Sequence, residues 1–310
     1  MDNVQAYSDL LVHQQELSEL IARHAPAAGT HHTAIPALNF MRTANIAEPV
    51  YSVYSTSLCI VAQGAKTATL ADESYRYDPN SYLVTSIQLP ITGKVVQASH
   101  EQPFLGLHLS FGADDLLEIA KQESVSAHIK MNSERGIGID SLTPPLLDAI
   151  LRLVRLLDTP QDIPVLSPLA IREIVFRAMQ GKLGVMMKQF AIIGSHSHTI
   201  ASAIRLIHRD FDKPLRIERL AKEVNMSSSS LHKHFKRITA MSPLQYQKTI
   251  RLQEARRLLF SESLEAAEAA FRVGYESPTQ FNREYARMFG IPPISDVLSI
   301  RRMNNNDSPV

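Results

Sequence analysis

Residues 217–235 read IERLAKEVNMSSSSLHKHF and residues 264–285 read LEAAEAAFRVGYESPTQFNREY. Each stretch sets a short apolar helix before a tight turn, a serine-containing polar cap and a second helix. Ala221 and Val224 match Ala270 and Val273 at an offset of 49, while Leu231 and Phe235 match Phe281 and Tyr285 at an offset of 50. The one-residue slip falls in the turn, where it is absorbed. This is the pattern of two helix-turn-helix units. It argues against reading the four serines 227–230 as a flexible joint, because Leu231, Phe235 and Ile238 continue a helical stripe at i, i+4 and i+7.

The stripes divide each unit into an inner and an outer face. In the first, Leu220, Ala221 and Val224 pack under Leu231, Phe235 and Ile238, which leaves Ser228, Ser229, His232, Lys233 and Lys236 facing outward. In the second, Phe281 and Tyr285 are the anchors, Gly274 permits the sharp turn and Ser277 caps the following helix. Thr279, Gln280, Asn282, Arg283 and Arg287 then face outward. The second helix of such a unit enters the DNA major groove, so these are the candidate DNA-contacting side chains. A solvated helix satisfies the same periodicity in either unit alone; the tandem arrangement favours a nucleic acid. Between the units, residues 242–260 (SPLQYQKTIRLQEARRLLF) read as one helix capped by Ser242 with Pro243 at its first position. Its length of about 26 Å approaches the duplex repeat of about 34 Å that separates successive major grooves on one face.

Charge follows the same division. The 310-residue chain has a net charge of +1, yet residues 198–303 hold 18 Lys and Arg against 11 Asp and Glu, and residues 1–197 hold 14 against 19. A basic module joined to an acidic one points to a polyanion partner for the C-terminal part, with a solvated charged surface as the plain alternative. The single cysteine, Cys59, lies in the apolar run TSLCIVA, which excludes an intramolecular disulfide and reads as a buried thiol. No run reaches the 18 or so apolar residues of a membrane span, and the expectation is a soluble, cytoplasmic protein.

Toward the N-terminus, an amphipathic helix over residues 7–23 and a loose segment HAPAAGTHHT precede short β-prone pieces: ALNFMR, VYSVYSTSLCIVAQG, AKTATLA, ESYRYD, SYLVTSI, GKVVQAS and FLGLHLSF. Gly64, Asp72, Asp78-Pro79-Asn80 and Gly93 separate them as turns. Such spacing predicts a sandwich or barrel, with YRYD-PN-SYLVTSI as a local hairpin. From Ala113 the period turns helical: ADDLLEIAKQES, then TPPLLDAILRLVRLLD capped by Thr143, then SPLAIREIVFRAMQG starting at Ser167 and Pro168. The stripe Leu146, Ile150, Leu153, Val154 and Leu157 must be buried against the barrel or against a second copy of the chain. GSHSH (194–198) reads as a linker and not as a metal pair. The chain thus divides into domains at 1–193 and 194–303, with a frayed tail at 304–310. The fold class is α+β in two domains: an N-terminal β-barrel with flanking helices and a C-terminal all-α double helix-turn-helix.

SPLQYQKTIRLQEARRLL followed by AFRVGYESPTQFNREYARMFGIPP resembles the DNA-binding domain of the AraC/XylS family of bacterial transcription regulators, over roughly residues 198–302. The resemblance implies two helix-turn-helix subdomains joined by a linker helix. It places base contacts at Ser229, His232 and Lys233 in the first and at Thr279, Gln280 and Arg283 in the second. It also implies promoter DNA and RNA polymerase as partners, with activation favoured over repression. The family ending G-x-S-P-x-x-Y-R is replaced here by GIPPISDVLSIR, with Pro292 for the serine and no tyrosine. Residues 35–111, with the landmarks QG-x-K, Y-x-Y-D-P and YLV, resemble the cupin-like N-terminal domain of one branch of the same family. That implies a sensory or dimerising barrel without naming what is sensed, so a small-molecule effector and a homodimer stand as open partners.

A rival reading is a metal or enzymatic cupin. His100 and His108 are eight residues apart, with no His-x-His and no glutamate at a matching distance, so neither a metal nor another cofactor is expected. No nucleophile elbow and no Gly-rich phosphate loop is present, and no enzyme activity is expected. Gln63, Lys66, Tyr75 and Tyr77 are the candidates for lining a small-molecule pocket, against a plain reading as turn and surface residues.

Overall fold

The computed structural model describes residues 2–46, 48–122, 135–192, 194–262 and 264–306. Contacts divide the chain into two compact units, Met1–Ala201 with Arg237–Ala240, and Ser202–Lys236 with Met241–Val310.

The first unit is built on two antiparallel sheets. One has six strands in the order β1 (Gly29–His32), β2 (Leu38–Thr43), β9 (Phe104–Ser110), β4 (Ser57–Gln63), β7 (Ser81–Thr85) and β10 (Ile137–Ser141). The other has four, in the order β3 (Val50–Tyr54), β8 (Leu89–Gln97), β5 (Ala65–Leu70) and β6 (Glu73–Tyr77). Helix α1 (Asp2–His24) packs on β4, β9 and β2 and buries Leu17, Leu20 and Ile21. This cover explains why Ser57 to Ala62 of β4 are all buried: one face lies under α1 and the other faces the opposite sheet, so polar-apolar alternation disappears.

Five sequence expectations for the strand unit are corrected. YRYD-PN-SYLVTSI is not a hairpin, since β6 pairs with β5 whereas β7 pairs with β4 and β10. The Asp78-Pro79-Asn80 turn is tight, with Ser81 N donating to Asp78 O at 3.0 Å, but it carries the chain from one sheet to the other. VYSVYSTSLCIVAQG likewise breaks at Ser55 and Thr56 into β3 and β4, which lie in different sheets. Gly93 stands inside β8, not in a turn. The loose HAPAAGTHHT contributes edge strand β1, and residues 137–141, for which no strand is expected, form β10.

The helices that follow are α2 (Ala113–Gln122), α3 (Pro144–Arg155), α4 (Ile163–Met179) and α5 (Gly184–Ala191); the end of ADDLLEIAKQES falls outside the described residues. Helix α4 starts four residues before the expected Ser167, because Pro164 supplies the first-turn proline and Pro168 is accommodated within the helix. Thr143 stands at the start of α3 in extended conformation but makes no side-chain cap bond. Leu146, Ile150, Leu153 and Val154 are buried, and α3 packs against α1 and α4 within the same chain. GSHSH does not remain an open linker: Ser195 Oγ accepts from His198 N at 3.0 Å as α6 (His196–Arg209) begins.

The second unit is helical throughout: the body of α6, then α7 (Ile217–Glu223), α8 (Ser228–Thr239) as far as Lys236, α9 (Pro243–Ser261), α10 (Ala266–Arg272), α11 (Pro278–Phe289) and α12 (Pro293–Asn306). Of the expected tail, residues 307–310 lie outside the described residues. No described helix is long and apolar enough to cross a membrane.

Candidate nucleic-acid interface and the cavity of the strand unit

The repeat read from the sequence is present in backbone detail. Met226 N donates to Ala221 O at 2.9 Å, and Tyr275 N donates to Ala270 O at 2.9 Å, closing the same turn after α7 and after α10. The turn residue is left-handed in both, Asn225 at φ 55° and Gly274 at φ 86°. Asparagine and glycine are the residues that enter this region at least cost. Ser227 Oγ then accepts from Ser230 N at 3.2 Å and Ser277 Oγ from Gln280 N at 3.4 Å, capping α8 and α11. Pro278 occupies the first turn of α11, where a missing N–H is harmless.

Below each cap the predicted anchors are buried: Leu231, Phe235 and Ile238 in α8, Phe281 and Tyr285 in α11. Phe235 meets Tyr246 of α9 edge-on at 5.4 Å, and Tyr275, Phe281, Tyr285 and Phe289 form a run of ring contacts at 4.4–5.5 Å. Packing therefore fixes which face of each helix is left outside. Ser229, His232, Lys233 and Lys236 are exposed on α8, with Ser228 half-buried. Thr279, Gln280, Asn282, Arg283 and Arg287 are exposed on α11. Gln280 lies beside Glu284, with Nε2 3.4 Å from Oε1, and Glu284 in turn accepts from Tyr275 OH at 2.8 Å.

Helix α9 joins the units. It begins with a capping box, Gln245 N to Ser242 Oγ at 3.2 Å and Ser242 N to Gln245 Oε1 at 3.0 Å. Its 19 residues span about 28 Å. Two of its side chains, for which no role is expected from the sequence, bind carbonyls of the segment between α6 and α7. Gln247 Nε2 donates to Phe211 O and Lys213 O, and Arg251 reaches the same two carbonyls and also that of Gly274. The signal was present in RLQEARRLL, but periodicity alone does not say that an arginine points inward. The atypical ending is also anchored: buried Asp296 of α12 accepts from Tyr285 OH at 2.7 Å and from Arg256 Nε at 2.8 Å.

In the first unit a cavity of about 460 Å³ lies between the two sheets. Lys66 and Tyr77, both named from the sequence, line it. Gln63 and Tyr75 do not: Gln63 Nε2 is engaged by Pro103 O at 2.7 Å and Tyr75 OH by Glu73 Oε2 at 2.8 Å. Tyr54, Cys59, Gly93 and His108 complete the polar and small residues of the wall. Burial pushes the Cys59 thiol up to about 11, which keeps it protonated and inert. Burial, assisted by the Lys66 charge, holds the His108 imidazole below its usual range and hence neutral. Among the described residues no group of three or more His, Cys, Asp or Glu is placed to hold a metal ion.

Comparison with known proteins agrees with both halves. A family model described as the AraC-type transcriptional regulator N-terminus matches residues 34–186, and a helix-turn-helix domain model matches residues 220–295. The chain is 23% identical over 243 residues to the lactose operon transcription activator of Staphylococcus xylosus, covering 78% of this chain and 83% of that protein. It is 24% identical over 185 residues to the HTH-type transcriptional activator RhaS of Salmonella schwarzengrund, covering 59% and 61%. Its fold is similar to that of ToxT from Vibrio cholerae. One crystal structure of that protein, bound to (E)-4-(8-methylnaphthalen-1-yl)but-3-enoic acid, matches at a TM-score of 0.55 and 11% identity, over 84% of this chain and 97% of that one. Another, with an unsaturated fatty acid bound, matches at a TM-score of 0.52 and 11% identity, over 84% and 94%.

Proposed function

The chain belongs to the AraC/XylS family of DNA-binding transcription regulators, and on that premise we propose that it reads promoter DNA with α8 and α11 in successive major grooves. The observation that carries this is the repeated unit: the same turn, the same serine cap and the same buried anchors present an outward polar face twice, on either side of one continuous helix. In the first face Ser228, Ser229, His232, Lys233 and Lys236 contact DNA; in the second Thr279, Gln280, Asn282, Arg283 and Arg287 do. Ser229 and His232 occupy places on α8 that longer donors could take, so α11, with Gln280 and Arg283, supplies more of the base discrimination. Lys236 and the outer arginine Arg287 act mainly on phosphates, which position the protein without specifying sequence.

The role is activation through contact with RNA polymerase, which the activator relatives support. It is a binding role, not an enzymatic one. The cavity between the sheets is the effector site, and the ligand-bound structures of ToxT support small-molecule control of such a domain. A second copy of the chain docks on the exposed stripe Val165, Leu169 and Phe176 of α4, whose apolar side chains are 68%, 61% and 38% accessible. Light scattering over a concentration series tests that dimer.

The deciding experiment is a salt-titrated binding measurement on a promoter fragment and on its scrambled version. A steep linear fall of log affinity with log salt, together with at least a hundredfold preference for the promoter, is expected. Equal affinity for both sequences at every salt concentration would remove the regulator's reading function.

A further inference from the structure

We infer that the cavity between the two sheets receives an amphiphilic monocarboxylate, its carboxylate held by the Lys66 ammonium and the Tyr54 hydroxyl, and its apolar body lying between the sheet faces. This rests on the effector reading above and names the chemical class of the effector.

The argument starts from charge. Lys66, on β5, is half-buried in the cavity wall, with Nζ 3.5 Å from Met41 Sδ and 5.8 Å from the centre of the Tyr54 ring. Neither neighbour carries a formal negative charge, and no Asp or Glu stands among the described residues that line the cavity. His108 across the cavity stays neutral, and Lys66 is the one lysine or arginine among the residues that line it. The rest of the wall is largely apolar, including Phe40, Val53, Ile60, Phe104 and Leu107. A ligand that seals this space takes the ammonium out of water. That is costly unless the ligand itself carries the counter-charge.

Convergence of two donors is built into the backbone. Gly93 of β8 faces Lys66 and Tyr54, and a Cβ at that position would lie 2.7 Å from Tyr54 Oη and 3.1 Å from Lys66 Cε. Glycine at this place leaves the phenol and the ammonium free to approach one point. A carboxylate accepts from both, in the arrangement of a few converging polar groups within an apolar pocket. One cation matches a monoanion; a phosphomonoester, carrying nearly two charges, would leave one uncompensated. At interior packing density, a cavity of about 460 Å³ accepts an apolar body on the order of 15 non-hydrogen atoms.

The test uses the full chain and two matched probe sets, 5-phenylpentanoate and tetradecanoate, each with its primary amide and its primary amine. Binding is read by calorimetry and by the shift in melting temperature. At least one acid is expected to bind tenfold or more tightly than its amide, with its amine weaker still. Lys66→Met is expected to weaken that acid at least tenfold and its amide less than twofold, while promoter affinity without ligand stays within twofold of the parent. Tyr54→Phe should cost the acid a few-fold. Amide or amine binding equal to the acid, or an acid indifferent to Lys66→Met, would overturn the carboxylate class while leaving the effector cavity standing. If no probe of any charge binds while promoter recognition persists, the effector reading of the cavity falls together with the inference.

Discussion

The Arg251 guanidinium donates through Nη1 to the carbonyl of Gly274 at 2.8 Å, tying the connecting helix to the turn of the second reading unit. Its Nε and Nη2 donate to Phe211 O at 2.7 Å and Lys213 O at 2.9 Å. One planar cation thus joins the entry to the first reading unit, α9 and the turn of the second. Burial lowers its pKa from the usual arginine value, but far too little to discharge it near neutral pH.

Arg251→Lys is therefore expected to act as a loss, since a point-charge ammonium cannot reproduce the fork. Gln247 still serves Phe211 O and Lys213 O, so the main orphan is the Gly274 carbonyl. A stability loss of about 1–3 kcal/mol follows, to be read by chemical denaturation. On DNA, the variant should discriminate less than the parent between a promoter and a version with one base pair inserted between the two contacted grooves. Unchanged discrimination would show that the fork does not set the spacing of the units.

The two turns invite opposite substitutions. Gly274→Ala places a side chain at φ 86° and a Cβ 1.8 Å from Asp212 O, a backbone atom that cannot swing away. A loss above about 3 kcal/mol, or failure to accumulate folded protein, is expected. Asn225→Gly, at the matching left-handed position, relieves mild strain and raises the entropy of the unfolded chain, so its net change should stay within about 1 kcal/mol. Thermal denaturation of the pair measures the asymmetry.

Asp296 is 1% accessible and accepts from both Arg256 and Tyr285. Asp296→Ala leaves a guanidinium and a phenol without their acceptor. The expected cost is about 2–4 kcal/mol, moderated because Arg256 keeps some access to water. Tyr285→Phe removes one neutral hydrogen bond from the same carboxylate and should cost about 1–2 kcal/mol. Denaturant midpoints on the full chain order the two variants.

The helix-turn-helix units could be read closely from the sequence because their determinants are local. A cap, a turn residue and an i, i+4, i+7 stripe lie within twenty residues, and the duplication checks each against its copy. Ser242, Ser277 and Gly274 stand where the sequence puts them. The strand unit was harder because its determinants are not local. Asp78-Pro79-Asn80 specifies a tight turn, but whether the flanking strands pair depends on β4 and β5, which compete for β7 and β6. The same distance effect hid the inward role of Arg251, whose partners lie 23 to 40 residues away. Of the four pocket candidates Lys66 and Tyr77 line the cavity and Gln63 and Tyr75 do not, a division that local alternation cannot make because Tyr75 and Tyr77 stand two apart on one strand; Gly93 reads as a turn because a glycine in a strand and a glycine between strands look alike without the partner strand.

Acid should weaken both units through buried imidazoles. His208 Nε2 lies 2.8 Å from Tyr246 OH, and burial holds its pKa below the usual 6.5. His108 is lowered by burial and by Lys66. Both are neutral in the folded state where the unfolded chain already binds a proton, so stability is fully present above about pH 6.5 and falls as the pH drops toward the folded values. His208→Gln and His108→Gln should each flatten the stability profile in the range below about pH 6.5. Stability curves that stay parallel to the parent across that window would mean that these imidazoles do not drive the dependence.

The division of labour between the reading helices is the last point open to direct measurement. Arg283 is exposed on α11 two turns from the Ser277 cap, and among the described residues it makes no ion pair that would hold its guanidinium away from a ligand. A fork free to meet guanine O6 and N7 discriminates by about 1–3 kcal/mol. Arg283→Ala should therefore lose that much on the promoter, lose far less on scrambled DNA, and relax preference at one base pair. Lys236→Ala on α8 should instead weaken both sequences alike and reduce the salt slope by about one. His232→Ala should cost the promoter less than Arg283→Ala does, because one imidazole lacks the two-pronged fork that an arginine offers to guanine. Binding isotherms for the three variants at two salt concentrations separate these outcomes, and an equal promoter-specific loss for His232→Ala and Arg283→Ala would assign base reading to both helices in equal measure.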